Sequence, residues 1–97
     1  METNIQAIHF STTEKLEQYI QKKLEKLEKK NDNIIRVAVT LKVVKPQTAM
    51  NKETAISVFI PGNEFRASHT ADTFEEGVDQ CCDSLLRQLT KYKETKK

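Results

Sequence analysis

An α+β domain with the element order β-α-β-β-β-α is predicted by three features of the chain. Two segments carry apolar residues at helical spacing, each opened by a capping-box pair. Two others alternate apolar and polar residues with the period of a half-buried strand. Pro61-Gly62-Asn63 supplies a tight turn between the last two strands. Each helix has one apolar stripe, so both are expected to pack on one face of a four-stranded sheet.

Asn4 to Phe10 reads as the first strand, with Ile5 and Ala7 or Ile8 and Phe10 as alternative faces. Ser11 with Glu14 forms a capping box, and Thr13 is an alternative cap. The first helix runs to about Lys30 on a stripe of Leu16, Tyr19, Ile20, Leu24 and Leu27. Its lysine-rich last turn suits the negative end of the helix dipole, and Asn31-Asp32-Asn33 ends it. Ile34 to Lys45 is the clearest strand. Val37, Val39, Leu41 and Val43 share one face; Arg36, Ala38, Thr40 and Lys42 share the other. After a polar connection from Lys45 to Glu53, Thr54 to Ile60 forms the third strand and Glu64 to Ser68 a short fourth. Connections this tight imply an antiparallel meander. Thr73 as N-cap with Glu76 opens the second helix, whose stripe is Phe74, Val78, Cys81, Cys82, Leu85, Leu89 and Tyr92. Gly77 inside it costs roughly 1 kcal/mol relative to Ala, which points to close approach of a neighbouring element.

The 97 residues suffice for one domain with a thin core, at 37% hydrophobic and 31% charged. The start, METNIQAIHF, has neither the basic region nor the apolar run of a signal peptide. No stretch approaches the ~20 apolar residues of a membrane span. A cytoplasmic location is therefore expected. Adjacent Cys81 and Cys82 point about 100° apart on a helix and cannot pair with each other, so they read as small core residues. With only Gly62 and Gly77, the chain has no glycine-rich phosphate loop. His9 and His69 are isolated and read as surface or loop histidines. No nucleophile–base constellation or metal-ligand spacing can be assembled, so neither catalysis nor a metal or cofactor is expected.

The net charge is only +2, so any polyanion signal must lie in how the charges are distributed. Wound at about 100° per residue from Leu16, the first helix sorts its charges by sign. Glu14, Glu17, Glu25 and Glu28 fall at about 100° to 180°, while Lys15, Lys22, Lys23, Lys26, Lys29 and Lys30 fall at about 220° to 340°. Lys23 and Lys30 lie closest to the core edge. A solvated helix face and a polyanion-facing flank account equally well for this helix taken alone. The second helix is polarised lengthwise: Glu75, Glu76, Asp79 and Asp83 precede Arg87, Lys91, Lys93, Lys96 and Lys97. Dipole matching explains part of this, and Arg87 and Lys91, one turn apart, also make a basic row.

The ordered combination of KLEKLE at Lys23 to Glu28, LKVVK at Leu41 to Lys45, EFRAS at Glu64 to Ser68, TFEEGVD at Thr73 to Asp79 and LLRQLTKYK at Leu85 to Lys93 resembles the ribosome hibernation promoting factor family, also called ribosome-associated inhibitor A. The resemblance spans essentially the whole chain. The family's usual Asp-Met-Tyr-x-Ala-Ile-Asp run reads Thr73-Phe74-Glu75-Glu76-Gly77-Val78-Asp79 here: Thr73 keeps the N-cap, Phe74 and Val78 keep the core, Glu75 replaces an aromatic residue, and further on Ser84 stands where a relative carries lysine.

The resemblance implies a fold similar to a double-stranded-RNA-binding domain. It also implies binding to the small ribosomal subunit, across the channel for messenger and transfer RNA, with translation blocked sterically. It implies the short form of the family, residues 1–97 forming a single ribosome-binding domain with a basic tail at about 93–97. Any dimerisation of ribosomes would then need a second hibernation factor. Lys22, Lys23 and Lys26 match or adjoin family lysines, and Arg87 and Lys91 match on the second helix. Lys30 and Lys93 continue these rows, and Lys42, Lys45 and Arg66 extend the expected RNA contact from the sheet. Arg87 is the strongest single candidate, because a planar guanidinium can hold a phosphate bidentately. Two other readings are a general double-stranded-RNA module and a regulatory protein–protein module, such as a transcription-factor modulator, working through Glu14, Glu17, Glu25 and Glu28.

Overall fold

A computed structural model describes residues 2–8, 10–31, 33–44 and 51–95. The elements run β1 (Glu2–Ile8), α1 (Glu14–Lys30), β2 (Arg36–Val43), β3 (Lys52–Ile60), β4 (Asn63–Ala71) and α2 (Phe74–Thr95). The order is the expected one. The strands lie side by side as β1-β2-β3-β4. β2, β3 and β4 form the antiparallel meander, whereas β1 pairs parallel to β2. Parallel neighbours cannot be joined by a tight turn, and α1 is the crossover that connects them.

Alternation along each strand places the core. Val37, Val39 and Leu41 of β2, Ile56 and Val58 of β3, and Ala67 and Ala71 of β4 face the helices and are buried. Ile20, Leu24 and Leu27 of α1 meet Val78, Cys81, Leu85 and Leu89 of α2 in the same core. The two helices therefore share one sheet face. The opposite face carries Arg36, Ala38, Thr40 and Lys42 from β2 and Ala55, Ser57 and Phe59 from β3. There the Arg36 guanidinium lies 4.3 Å from the Phe59 ring centroid.

Several boundaries differ from expectation: β2 spans Arg36–Val43 inside the expected Ile34 to Lys45, β3 starts at Lys52 rather than Thr54, and β4 starts at Asn63 rather than Glu64. β1 starts at Glu2 and ends at Ile8. Phe10 lies beyond it and stacks on Phe74, with ring centroids 4.7 Å apart. Thr13, rather than Ser11, caps α1 by accepting from the Leu16 amide at 3.1 Å. β4 runs three residues past Ser68, because His69, Thr70 and Ala71 still pair with Thr54, Glu53 and Lys52. His69 is thus a half-buried strand residue, not a loop residue; His9 lies outside the described residues. Gly62, at φ +79°, makes the turn that lets β4 return along β3. Thr73 caps α2 as expected, accepting from the Glu76 amide at 3.2 Å.

Gly77 has the close neighbour its position implied. A Cβ there would stand 2.6 Å from Thr54 Oγ1. Thr54 is fully buried in β3, and its hydroxyl has no hydrogen-bond partner among the described residues. Its carbonyl accepts from the Cys81 thiol at 3.4 Å. Glycine thus lets α2 settle directly onto β3, which fixes where Asp79, Arg87 and Lys91 emerge. Cys81 and Cys82 are free and buried, as small core residues should be. Burial pushes both thiols up, to about 12 for Cys81 and about 11 for Cys82.

Candidate nucleic-acid interface

The two helices lie side by side and run in the same direction. Three successive contacts establish this: Phe10 before α1 meets Phe74, Tyr19 and Lys23 meet Asp79, and Lys26 shares a cleft with Cys82, Asp83 and Leu86. Both helices begin acidic, with Glu14 and Glu17 in one first turn and Glu75 and Glu76 in the other. α1 ends on Lys29 and Lys30, while α2 carries Arg87 and Lys91 in its second half. Parallel packing therefore puts both acidic ends together and both basic ends together. A net charge of +2 conceals this separation.

The cleft between the helices is lined by Lys23 and Lys26 from α1 and by Asp79, Cys82, Asp83 and Leu86 from α2. Leu86 also lines a shallow depression with Arg87, Thr90 and Lys91. Lys26 and the Arg87–Lys91 row thus border two adjoining hollows with Leu86 between them. This is the neighbourhood that sequence reasoning required and could not establish.

The other candidate residues distribute as follows. Lys23 points into the cleft, where its Nζ lies 2.9 Å from Asp79 Oδ1. Lys22 lies on the outward shoulder of α1 among Glu14, Glu17, Gln18, Gln21 and Glu25, away from α2. Lys30 is the last residue of α1 and is exposed. Lys42 and Arg66 belong to the sheet face opposite the helices and do not border the cleft. Lys42 stands opposite Glu53, and Arg66 opposite Ser57. Lys45 lies outside the described residues, as does the side chain of Lys93.

A three-residue clasp between the helices was not foreseen. The Tyr19 hydroxyl donates to both Asp79 carboxylate oxygens at 2.9 Å, beside the Lys23 ion pair. The Lys23 ammonium also lies 5.5 Å from the Tyr19 ring centroid. Partial desolvation pushes the Asp79 carboxyl up, but hydrogen bonds from Lys23 and Tyr19 outweigh it and hold the group below its ordinary value. Desolvation and the Asp79 hydrogen bond raise the Tyr19 hydroxyl, and the Asp79 hydrogen bond raises Lys23. The available sequence signal was the four-residue spacing of Tyr19 and Lys23, which puts both on one helix face.

Among the described residues, no group of three His, Cys, Asp or Glu side chains could hold a metal ion. No described helix is long and apolar enough to cross a membrane.

A family model described as Sigma 54 modulation protein / S30EA ribosomal protein matches residues 3–97. The chain belongs to this family. Among its relatives, the ribosome hibernation promoting factor of Pseudomonas putida is 34% identical over 94 residues, spanning 97% of this chain and 88% of the relative. The Escherichia coli protein of the same name is 33% identical over 94 residues, spanning 97% and 95%. A ribosome hibernation promotion factor from Picosynechococcus is longer, and this chain covers 50% of it at 31% identity. Two solved structures share the fold. A ribosomal subunit interface protein from Coxiella burnetii superposes with a TM-score of 0.87 at 23% identity, covering 97% of this chain and 99% of that one. The N-terminal domain of Thermus thermophilus Protein Y gives 0.82 at 20% identity, covering 95% and 99%. The S30EA family assignment agrees with the resemblance carried by the KLEKLE, TFEEGVD and LLRQLTKYK segments.

Proposed function

We propose that this member of the S30EA family is a ribosome-associated hibernation factor that binds the small subunit RNA across the messenger and transfer RNA channel and blocks translation by occupying it. The observation that carries the reading is the gathering of basic side chains at one end of a parallel helix pair. Lys26 approaches from α1, and Arg87 and Lys91 approach from α2. Folded RNA presents closely spaced phosphates, which lysine and arginine recognise largely without reading bases. The acidic helix starts repel the same backbone, so the charge separation also orients the protein on its target. The names of the relatives, hibernation promoting factor and subunit interface protein, favour the ribosome over other polyanions.

Inhibition on this reading is a matter of occupancy, and no bond is made or broken. The contact set is Lys26, Arg87 and Lys91, with Lys30 and Lys93 extending it along the basic end. Lys42, Lys45 and Arg66 stand as a separate candidate group for a second contact from the sheet. A competition series tests the assignment. Purified small subunits, large subunits and a plain RNA duplex are titrated at several salt concentrations. Preferential binding to small subunits that weakens steeply with salt is the expected result. Equal affinity for the duplex would make the chain a general RNA-binding module. Salt-insensitive binding, or none, would overturn the RNA reading and return attention to the acidic flank as a protein-binding face.

A further inference from the structure

Lys23 and Lys26 are three residues apart on α1 and line one cleft, yet their surroundings differ. Lys23 is held at 2.9 Å by Asp79, whose two carboxylate oxygens also share the Tyr19 hydroxyl proton. Lys26 makes no ion pair among the described residues. A phosphate approaching Lys23 would also approach Asp79, whose carboxylate already holds that ammonium and opposes the anion. Asp83, one turn further along the same wall, lies towards Lys26 but makes no ion pair with it among the described residues. The Tyr19 ring stands against Lys23 from its own helix, 5.5 Å from the ammonium. A phosphate approaching Lys26 meets Leu86, beyond which lie Arg87 and Lys91. The clasp therefore sits where the acidic half of the helix pair gives way to the basic half, and it links the two helices across the cleft.

We propose that Asp79, Tyr19 and Lys23 are positioning residues: their clasp sets the spacing of α1 against α2, and so the placement of Lys26 beside Arg87, while Lys23 itself contacts no phosphate. This rests on the RNA-facing reading above and narrows it, assigning contact and positioning to two lysines on the same flank of α1.

The salt dependence of binding separates the two roles, because each lost phosphate contact lowers the slope of log affinity against log salt by about 0.7 to 0.9. The test measures binding of the full chain to small ribosomal subunits across a salt series. Lys26→Gln is expected to weaken binding and lower the slope by about that amount. Lys23→Gln is expected to weaken binding several-fold with the slope unchanged. Asp79→Asn is also expected to weaken binding several-fold at unchanged slope, although it removes a negative charge from the cleft. Combined with Lys23→Gln it should add little, because the two act as one unit. Tyr19→Phe, which keeps the half-buried ring, is expected to reproduce the Asp79→Asn effect in milder form even if the charged variants fold poorly. A slope loss for Lys23→Gln matching that of Lys26→Gln would overturn the positioning role alone. So would tighter binding by Asp79→Asn. Absence of subunit binding by the unaltered chain would overturn the functional reading and the positioning role together.

Discussion

Gly77→Ala in the first turn of α2 should destabilise the protein, against the usual trend. In an open helix interior the change gains roughly 1 kcal/mol, because alanine has less backbone freedom to lose. Here the new Cβ would lie 2.6 Å from Thr54 Oγ1 and 3.1 Å from Thr54 Cβ, both inside contact distance. Thr54 cannot easily retreat. It is fully buried, pairs with Leu41 on one side and His69 on the other, and accepts the Cys81 thiol through its carbonyl. Overpacking of this kind typically costs 1–3 kcal/mol, so the expected net loss is about 1 kcal/mol. For a domain of this size that lowers Tm by about 4–8 °C. Thr54→Ala removes the obstructing hydroxyl and leaves only the 3.1 Å Cβ contact, and so relieves most of the clash. In that background Gly77→Ala should become neutral or stabilising, giving a coupling energy of about 1–3 kcal/mol. Urea unfolding followed by far-ultraviolet circular dichroism of the four proteins in the cycle measures it. If Gly77→Ala stabilises the unaltered protein, or if the two changes are additive, the close seat of α2 on β3 is refuted.

Other expectations follow from the same packing. Thr54→Val replaces an unpaired buried hydroxyl with a methyl group and should leave stability unchanged or raised by about 1 kcal/mol in a denaturant titration. Thr13→Ala removes the side chain that accepts the Leu16 amide and should cost about 1 kcal/mol by the same assay, whereas Ser11→Ala should cost little. Cys81 and Cys82 should react with a thiol reagent only on unfolding, because burial withholds the thiolate. Both thiols have raised values in the folded state. Their contribution to stability is therefore intact below the ordinary 9.0 and lost as pH rises towards about 11 and 12. A pH series of urea midpoints should fall over that alkaline range. The Asp79 carboxyl is lowered instead, so its contribution holds above the ordinary carboxylate value and fades as acid pH falls through the depressed one.

The fold was legible wherever periodicity was strong. α1, α2, β2 and β3 announce themselves because large apolar residues repeat at the spacing their burial requires. β4 was read three residues too short because its inward positions beyond Phe65 are Ala67, His69 and Ala71. Small residues suit a strand under a closely seated helix but leave no hydrophobic signal. β1 is an edge strand whose inward residues, Thr3, Ile5 and Ala7, are also modest, so its facing stayed open. Part of the candidate site was available in the same patterns. Strand alternation already put Lys42 and Arg66 on the faces away from the apolar rows. The helical wheel put Lys22 nearer the back of α1 than Lys23. The clasp was not available, because Tyr19 and Asp79 lie 60 residues apart and meet only once both helices have docked. Lys23 and Lys26 share one flank of α1 in the chain, with Lys23 nearer the core edge, and only the docked helices show that Lys23 is clasped.

The central claim is that the basic ends of the two parallel helices hold ribosomal RNA. Charge reversal at one position on each helix, Lys26→Glu with Arg87→Glu, tests it most directly. Both side chains are exposed, so the double variant should fold and melt like the unaltered protein. Sedimentation of each protein with purified small subunits at physiological salt is the measurement. The account predicts that the unaltered chain travels with the subunit and that the double variant stays at the top of the gradient. Undiminished co-sedimentation of a folded double variant would contradict it.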